Sequence, residues 1–146
     1  MLSYFSDAET TVTRTGLPNH PNQQQIWNIA ATRQKMDEVR RILGKAVNVN
    51  SWFRSPEVNR AVGGAATSAH LTGFAVDCWV KGMTNEEVGN ALDKAGIKYD
   101  QFIDEFDGSK YWWHISFDPR MRGQRLVARK RNGKMHYKPY GGHHGP

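Results

Sequence analysis

Cysteine is nearly missing from the chain: Cys78 stands alone in 146 residues. That excludes an internal disulfide and any metal site built on several thiolates, and it suits synthesis in a reducing compartment. Long apolar runs are missing too, since no stretch approaches the roughly 20 residues a membrane span needs. The opening Met1-Leu-Ser-Tyr-Phe-Ser-Asp7 has neither a basic start nor an apolar run of about 7–15 residues, so no secretory leader is recognisable. There is no internal repeat. Acidic residues are outnumbered, 14 against 20 Lys and Arg, which gives a formal charge of +6 and a pI near 9.6. The excess favours an anionic partner without choosing its kind. With 38% hydrophobic residues, this length suits one compact domain with a modest core.

What is present reads as alternating helices and strands. Ser6-Asp-Ala-Glu9 has the form of a capping box and opens a short first helix, which Gly16-Leu-Pro-Asn-His-Pro-Asn22 breaks. From Gln23 to Leu43, Ile26, Ile29, Ala30, Met36, Val39, Ile42 and Leu43 fall mostly at helical spacing, predicting a long core-packing helix ended by Gly44. Val47 to Phe53 alternates as a strand that carries Arg54 to its end. Ser55-Pro56 then caps and starts a helix stopped by Gly63-Gly64. Phe74 to Val80 reads as a central strand, with Cys78 facing the core. Thr84-Asn-Glu-Glu87 is a second capping box for a helix ending at Gly96. Tyr99 to Phe106 and Tyr111 to Phe117 form a hairpin around Asp107-Gly-Ser-Lys110. Helices before and between hairpin strands predict an α+β domain. The aromatic residues, among them Trp52, Phe53, Trp79, Phe102, Tyr111 and Trp113, are expected to be chiefly core.

Chemistry is concentrated in Ser68-Ala-His-Leu-Thr-Gly-Phe-Ala-Val-Asp77 and Tyr111-Trp-Trp-His-Ile-Ser116. Two imidazoles and a carboxylate, His70, His114 and Asp77, are what a catalytic zinc site requires, because an open fourth position must remain for water. Gly73 lets the backbone bend between the first two. Alone, a histidine and an aspartate at this spacing are more often ordinary hydrogen-bonded side chains. The longer pattern S-x-H-x-x-G-x-A-x-D, then W-x-H-x-S, with F-R-S-P-E-V-N ahead of both, is more specific. It resembles the zinc murein peptidases of the D-Ala-D-Ala carboxypeptidase and L-alanyl-D-glutamate endopeptidase family, which includes phage endolysins. A similar ligand arrangement occurs in the Hedgehog signalling domain.

The resemblance covers about Tyr4 to Pro119. It implies the Hedgehog/DD-peptidase fold, an antiparallel sheet with flanking helices, and a Zn2+ ion held by His70, Asp77 and His114. Part of the family has a glutamate three residues before the last histidine, where this chain has Tyr111. Other relatives carry the catalytic glutamate in a Glu-Phe pair that ends a strand, and Glu105-Phe106 matches it. Hairpin geometry gives a separate reason: with Gly108-Ser109 as a two-residue loop, Glu105 opposes Trp112, Ile103 opposes His114, and Glu105 and His114 share a face. A loop one residue longer or shorter reverses this, so Asp104 and Asp107 stay as lesser candidates. Arg54 is the candidate electrophile and substrate clamp, since a guanidinium grips a carboxylate with two parallel hydrogen bonds and stays charged. Ser68 is expected to orient the His70 segment, and Trp112 to wall the cleft on the His114 face.

These readings together predict a zinc metallopeptidase that hydrolyses a peptide bond in peptidoglycan stem peptides, acting as a phage lysis or virion-associated enzyme. The alternative is a zinc-stabilised binding or structural module of the same fold without hydrolysis. Residues 1–119 are expected to form the catalytic domain. Residues 120–146, with Arg120, Arg122, Arg125, Arg129, Lys130, Arg131, Lys134 and Lys138, are expected to be a partly mobile basic extension that engages anionic wall polymers. His143 and His144 belong to that tail. No nucleic-acid recognition motif accompanies the basic run. A monomer is expected, made in the cytoplasm and reaching the wall after lysis or by phage delivery.

Overall fold

A computed structural model describes residues 2–141; His143 and His144 lie outside the described residues. Four helices, α1 (Asp7–Thr10), α2 (Gln23–Leu43), α3 (Pro56–Ala61) and α4 (Asn85–Lys94), accompany a 3-10 turn at Ala69–Thr72. The strands are β1 (Asn48–Ser51), β2 (Ala75–Trp79), β3 (Gln101–Phe106), β4 (Tyr111–Ser116), β5 (Gln124–Arg131) and β6 (Lys134–Pro139).

Local chemistry accounts for the element ends. Ser6, Asn22 and Thr84 each cap a helix while the residue three positions on reaches back to the cap nitrogen. Gly44 ends α2 in the left-handed conformation at φ +66°, where a side chain would be strained. In α2 the buried row is Ile29, Thr32, Met36 and Val39, whereas Ile26 and Ile42 are exposed. Thr32 holds its buried position because its hydroxyl donates to Asn28 O and Gly73 O, so the polar atom is satisfied without water.

The strands form a single sheet in the order β1-β2-β4-β3-β5-β6. Every neighbouring pair is antiparallel except β3 and β5. An α+β fold is the result, as the sequence predicts. One face, with Val76, Cys78, Trp113, Ile115 and Phe102, packs on Met36 and Val39 of α2 and Val88 and Leu92 of α4. The opposite face carries Asp77, His114 and Glu105. Not all the aromatic residues are core: Trp79 and Tyr111 are exposed.

The chain does not leave the sheet after Pro119. Gln101 pairs with both Ser116 and Gln124, so residues 117–123 cross the end of β3 and return as β5 alongside it. Asp100, 1% exposed, anchors this crossing by accepting from the Arg122 backbone, Nε and Nη2, each at 2.9 Å. Four of the eight basic residues assigned to an extension are committed internally: Arg120 to Asp118, Arg122 to Asp100, Arg125 to Asp93 and Arg129 to Asp104. Residues 124–139 therefore hold two further strands of the sheet. Their high arginine content concealed this, because the alternation of a half-buried strand is hard to see when both faces carry long cationic side chains.

Candidate active site

His70, Asp77 and His114 come together from three elements: the 3-10 turn, the middle of β2 and the middle of β4. Asp77 and His114 are direct partners in the β2–β4 ladder, which brings their side chains out on one face. The 3-10 turn delivers His70 from above that face. Gly73 ends the turn at φ +89°, and a Cβ there would lie 2.8 Å from Ile29 Cγ1. Polar side chains of α2 hold the turn in place, Gln25 donating to Leu71 O and Asn28 to Thr72 O. On its other side, Arg54 N donates to His70 O at 3.0 Å. Ser68 caps the turn, its hydroxyl accepting from His70 N at 3.2 Å.

The protonation of His70 follows from its neighbour. Nδ1 lies 2.6 Å from Trp52 O, which only accepts, so the proton sits on Nδ1 and Nε2 carries a lone pair. Nε2 is buried without a hydrogen-bond partner, although it is 3.1 Å from Asp77 Oδ1. His114 Nδ1 is also 3.1 Å from that oxygen. One ligand atom from each of the three residues lies within 4.8 Å of the other two. An unsatisfied, buried imidazole nitrogen aimed at a carboxylate and a second imidazole fits a divalent cation, for which two nitrogens and an oxygen are a suitable donor set.

Electrostatics match that reading at His70 and Asp77. Burial holds the His70 pKa below its ordinary value and keeps the ring neutral, as a metal ligand must be. For Asp77 burial acts in the other direction, but His70 and His114 prevail and hold the carboxyl below the usual range. Burial likewise opposes a charge on His114; the hydrogen bond and charge of Asp77 outweigh it and raise its pKa.

Arg54 lies beside the cluster, its Nη2 2.9 Å from Asp77 Oδ2. Nε donates to Ser51 Oγ and Nη1 to Asn59 Oδ1. The guanidinium thus orients the Asp77 carboxylate from behind, a contact the sequence did not predict. Asn59 is fixed by donating to Ala65 O, and Gly64 packs so tightly that a Cβ would fall 2.0 Å from Asn59 Oδ1. In the sequence Gly64 read only as a helix stop. Its close approach to Asn59 and Arg54 could not be seen without the tertiary structure.

Glu105 opposes Trp112 in the β3–β4 ladder, and Ile103 opposes His114, the register that a two-residue Gly108-Ser109 loop predicts. Glu105 is buried, and its Oε2 accepts from Trp112 Nε1 at 2.8 Å. Burial, followed by the nearby negative charge of Asp77, pushes its pKa up to about 7. Asp104 points to the other face, where Asn85 and Arg129 engage it, and Asp107 accepts from Ser109 N and Lys110 N within the turn. Neither joins the cluster. A cleft of about 660 Å³ opens beside the cluster, its lining including Arg54, Asp77 and Trp112 and also Trp79, Lys110 and Arg14. Sequence reasoning gives none of these last three a place in the site: Trp79 is expected in the core and Lys110 in the hairpin turn.

A buried cluster of three donors that could hold a metal, a carboxylate of raised pKa on the same sheet face and an adjoining cleft fit the class of metal-dependent hydrolases. Residues 4–116 match the family model described as Peptidase M15. The chain belongs to the Peptidase M15 family, whose members are zinc-dependent metallopeptidases acting on murein. No curated protein matches the chain closely enough to count as a relative.

Proposed function

We propose that this metallopeptidase hydrolyses a peptide bond in peptidoglycan stem peptides, with Glu105 as general base and acid. The carrying observation is the position of Glu105: a buried carboxylate of raised pKa on the face that bears Asp77 and His114. His70 Nε2, Asp77 Oδ1 and His114 Nδ1 are the proposed ligand atoms. When bound, zinc supplies Lewis acidity, acidifying a water and polarising the scissile carbonyl. Glu105 takes the proton of the attacking water at its carboxylate and later delivers it to the leaving nitrogen. Trp112 holds Glu105 Oε2 and so aims the carboxylate during both transfers.

Arg54 has five N–H donors, of which Ser51, Asn59 and Asp77 engage three. The remaining two face a role in holding a substrate carboxylate or the oxyanion, since Arg54 also lines the cleft. A phage lysis or virion-associated enzyme is the biological setting we infer, from the resemblance to phage endolysins and the basic charge of the chain. Cations without an internal partner among the described residues, such as Lys130 and Lys134, are the ones available to anionic wall polymers.

The test is digestion of purified muropeptides with the zinc-loaded protein, read by mass spectrometry. New amino and carboxyl ends at one defined bond, abolished by chelator and restored by zinc, are the expected result. Zinc binding with no cleavage of any muropeptide would instead favour a non-catalytic module.

A further inference from the structure

A row of four residues crosses the outer half of the sheet. Trp112 opposes Glu105 on β3, Glu105 is paired with Ala128 on β5, and Ala128 opposes Tyr137 on β6. Residues directly opposite in adjacent strands project to the same face, so all four share the face of Asp77 and His114. Glu105 therefore has an aromatic side chain on each side, Trp112 directly beside it and Tyr137 two strands away. Two strand spacings set the Cα atoms of Glu105 and Tyr137 on the order of 10 Å apart. The residue between them is alanine, fully buried, whose methyl group leaves room for the phenol to lean over it.

We propose that Tyr137 is a substrate-contacting residue of the active site, donating its phenol O–H to the peptide backbone on the side of Glu105 away from Trp112. This rests on the peptidase reading above and extends it to a strand that the sequence assigned to a basic extension. The charges that act on the phenol support the direction of its side chain. Burial raises its pKa first, and the next contributions come from Glu105 and Asp77, with Arg54 opposing them. None of those three residues is on β6 or its neighbour β5, and all three belong to the site. A phenol is protonated and able to donate at neutral pH, and the upward shift leaves it so. Tyr137 is nevertheless 56% exposed, as a side chain that meets a substrate must be.

The hairpin that carries Tyr137 is held to the domain firmly enough for such a part. Arg129 Nη2 pairs with Asp104 at 3.2 Å, and Arg125 pairs with Asp93 at 3.0 Å while stacking 3.6 Å from the centre of the Tyr140 ring. Tyr140 in turn donates to Glu86 Oε2 at 2.7 Å. The cleft lies on the Trp112 side, toward β1 and α3. A peptide lying across Glu105 would thus meet the cleft with one half and Tyr137 with the other.

Tyr137→Phe removes the hydroxyl and keeps the ring, so the fold should stand. It is compared with wild type in muropeptide turnover. It is also compared in the Glu105→Gln background by calorimetric binding of the intact muropeptide, with melting temperature and zinc content measured throughout. The expected result is a loss of about tenfold in kcat/KM and in affinity, at unchanged melting temperature and zinc content. His136→Ala, on the same strand but the opposite face, should stay within twofold of wild type. Tyr137→Phe within twofold of wild type in both turnover and binding overturns the proposal and leaves the peptidase reading standing. A wild-type protein that neither binds nor cleaves any muropeptide overturns both.

Discussion

Trp112 and Glu105 oppose each other across the β3–β4 hairpin, and the indole Nε1 donates to Glu105 Oε2 at 2.8 Å. The pair sets two effects against one another. Burial drives the carboxyl toward its neutral form, while the hydrogen bond favours the charged form. Burial prevails, and the group ends near neutral pH, where a base is most useful to an enzyme working at that pH.

Glu105→Gln keeps the shape and the Trp112 neighbour but cannot take a proton. Zinc content and melting temperature should match wild type, and muropeptide turnover should fall by about 10² to 10⁴. Metal analysis beside a turnover assay checks this; turnover within tenfold of wild type would move the base to another residue.

The pH profile follows from the sign of the Glu105 shift. Its folded pKa is raised from 4.5 to about 7, and the ionised form is the working one, so activity is present above the folded pKa and lost as pH falls through it. A bound divalent cation favours the carboxylate, so the acid limb of kcat/KM in the zinc enzyme should lie between the ordinary carboxylate range and about 7. Trp112→Phe removes the hydrogen bond to the charged form and should move that limb upward by about one unit. A limb that stays in place or moves down would separate Trp112 from the proton transfer.

Zinc should stabilise the wild-type protein by roughly 4 kcal/mol when present at a thousandfold its dissociation constant. Thermal scans of metal-free protein with and without added zinc measure the shift. His70→Ala, Asp77→Ala and His114→Ala should each lose it. A variant that keeps the full shift has lost a residue that is not a ligand.

Gly64→Ala tests the support behind the metal ligands. The new methyl carbon would sit 2.0 Å from Asn59 Oδ1 and 2.9 Å from Arg54 Nη1, so both must move and Asp77 loses its fixed partner. Stability should fall by about 1–3 kcal/mol and zinc affinity by about 10- to 100-fold. Denaturant titration and a competition assay for zinc read the two effects separately.

Much of the fold was legible because its signals are local. The capping residues Ser6 and Thr84, the glycine after α2 and the turn at Asp107–Lys110 act within a few residues of themselves, and the elements begin and end where they predict. The hairpin register was legible for the same reason. A two-residue loop leaves one pairing, and that pairing puts Glu105 opposite Trp112.

The parts that escaped are those where the sequence signal is shared between distant segments. β5 and β6 are hidden by cations whose acidic partners, Asp93, Asp100 and Asp104, lie earlier in the chain. Arg54 reads as a free fork in isolation, yet Ser51, Asn59 and Asp77 occupy part of it.

By itself, then, the order of residues determined which side chains have the chemistry to bind a metal or move a proton and which short elements bear them, since residue type and helix or turn formation depend on near neighbours. Only the folded sheet decided their convergence: which strands adjoin, which face each side chain takes, and how deep Glu105 and His70 are buried. Burial and charge proximity are properties of three-dimensional neighbours, and here those neighbours are tens of residues apart along the chain.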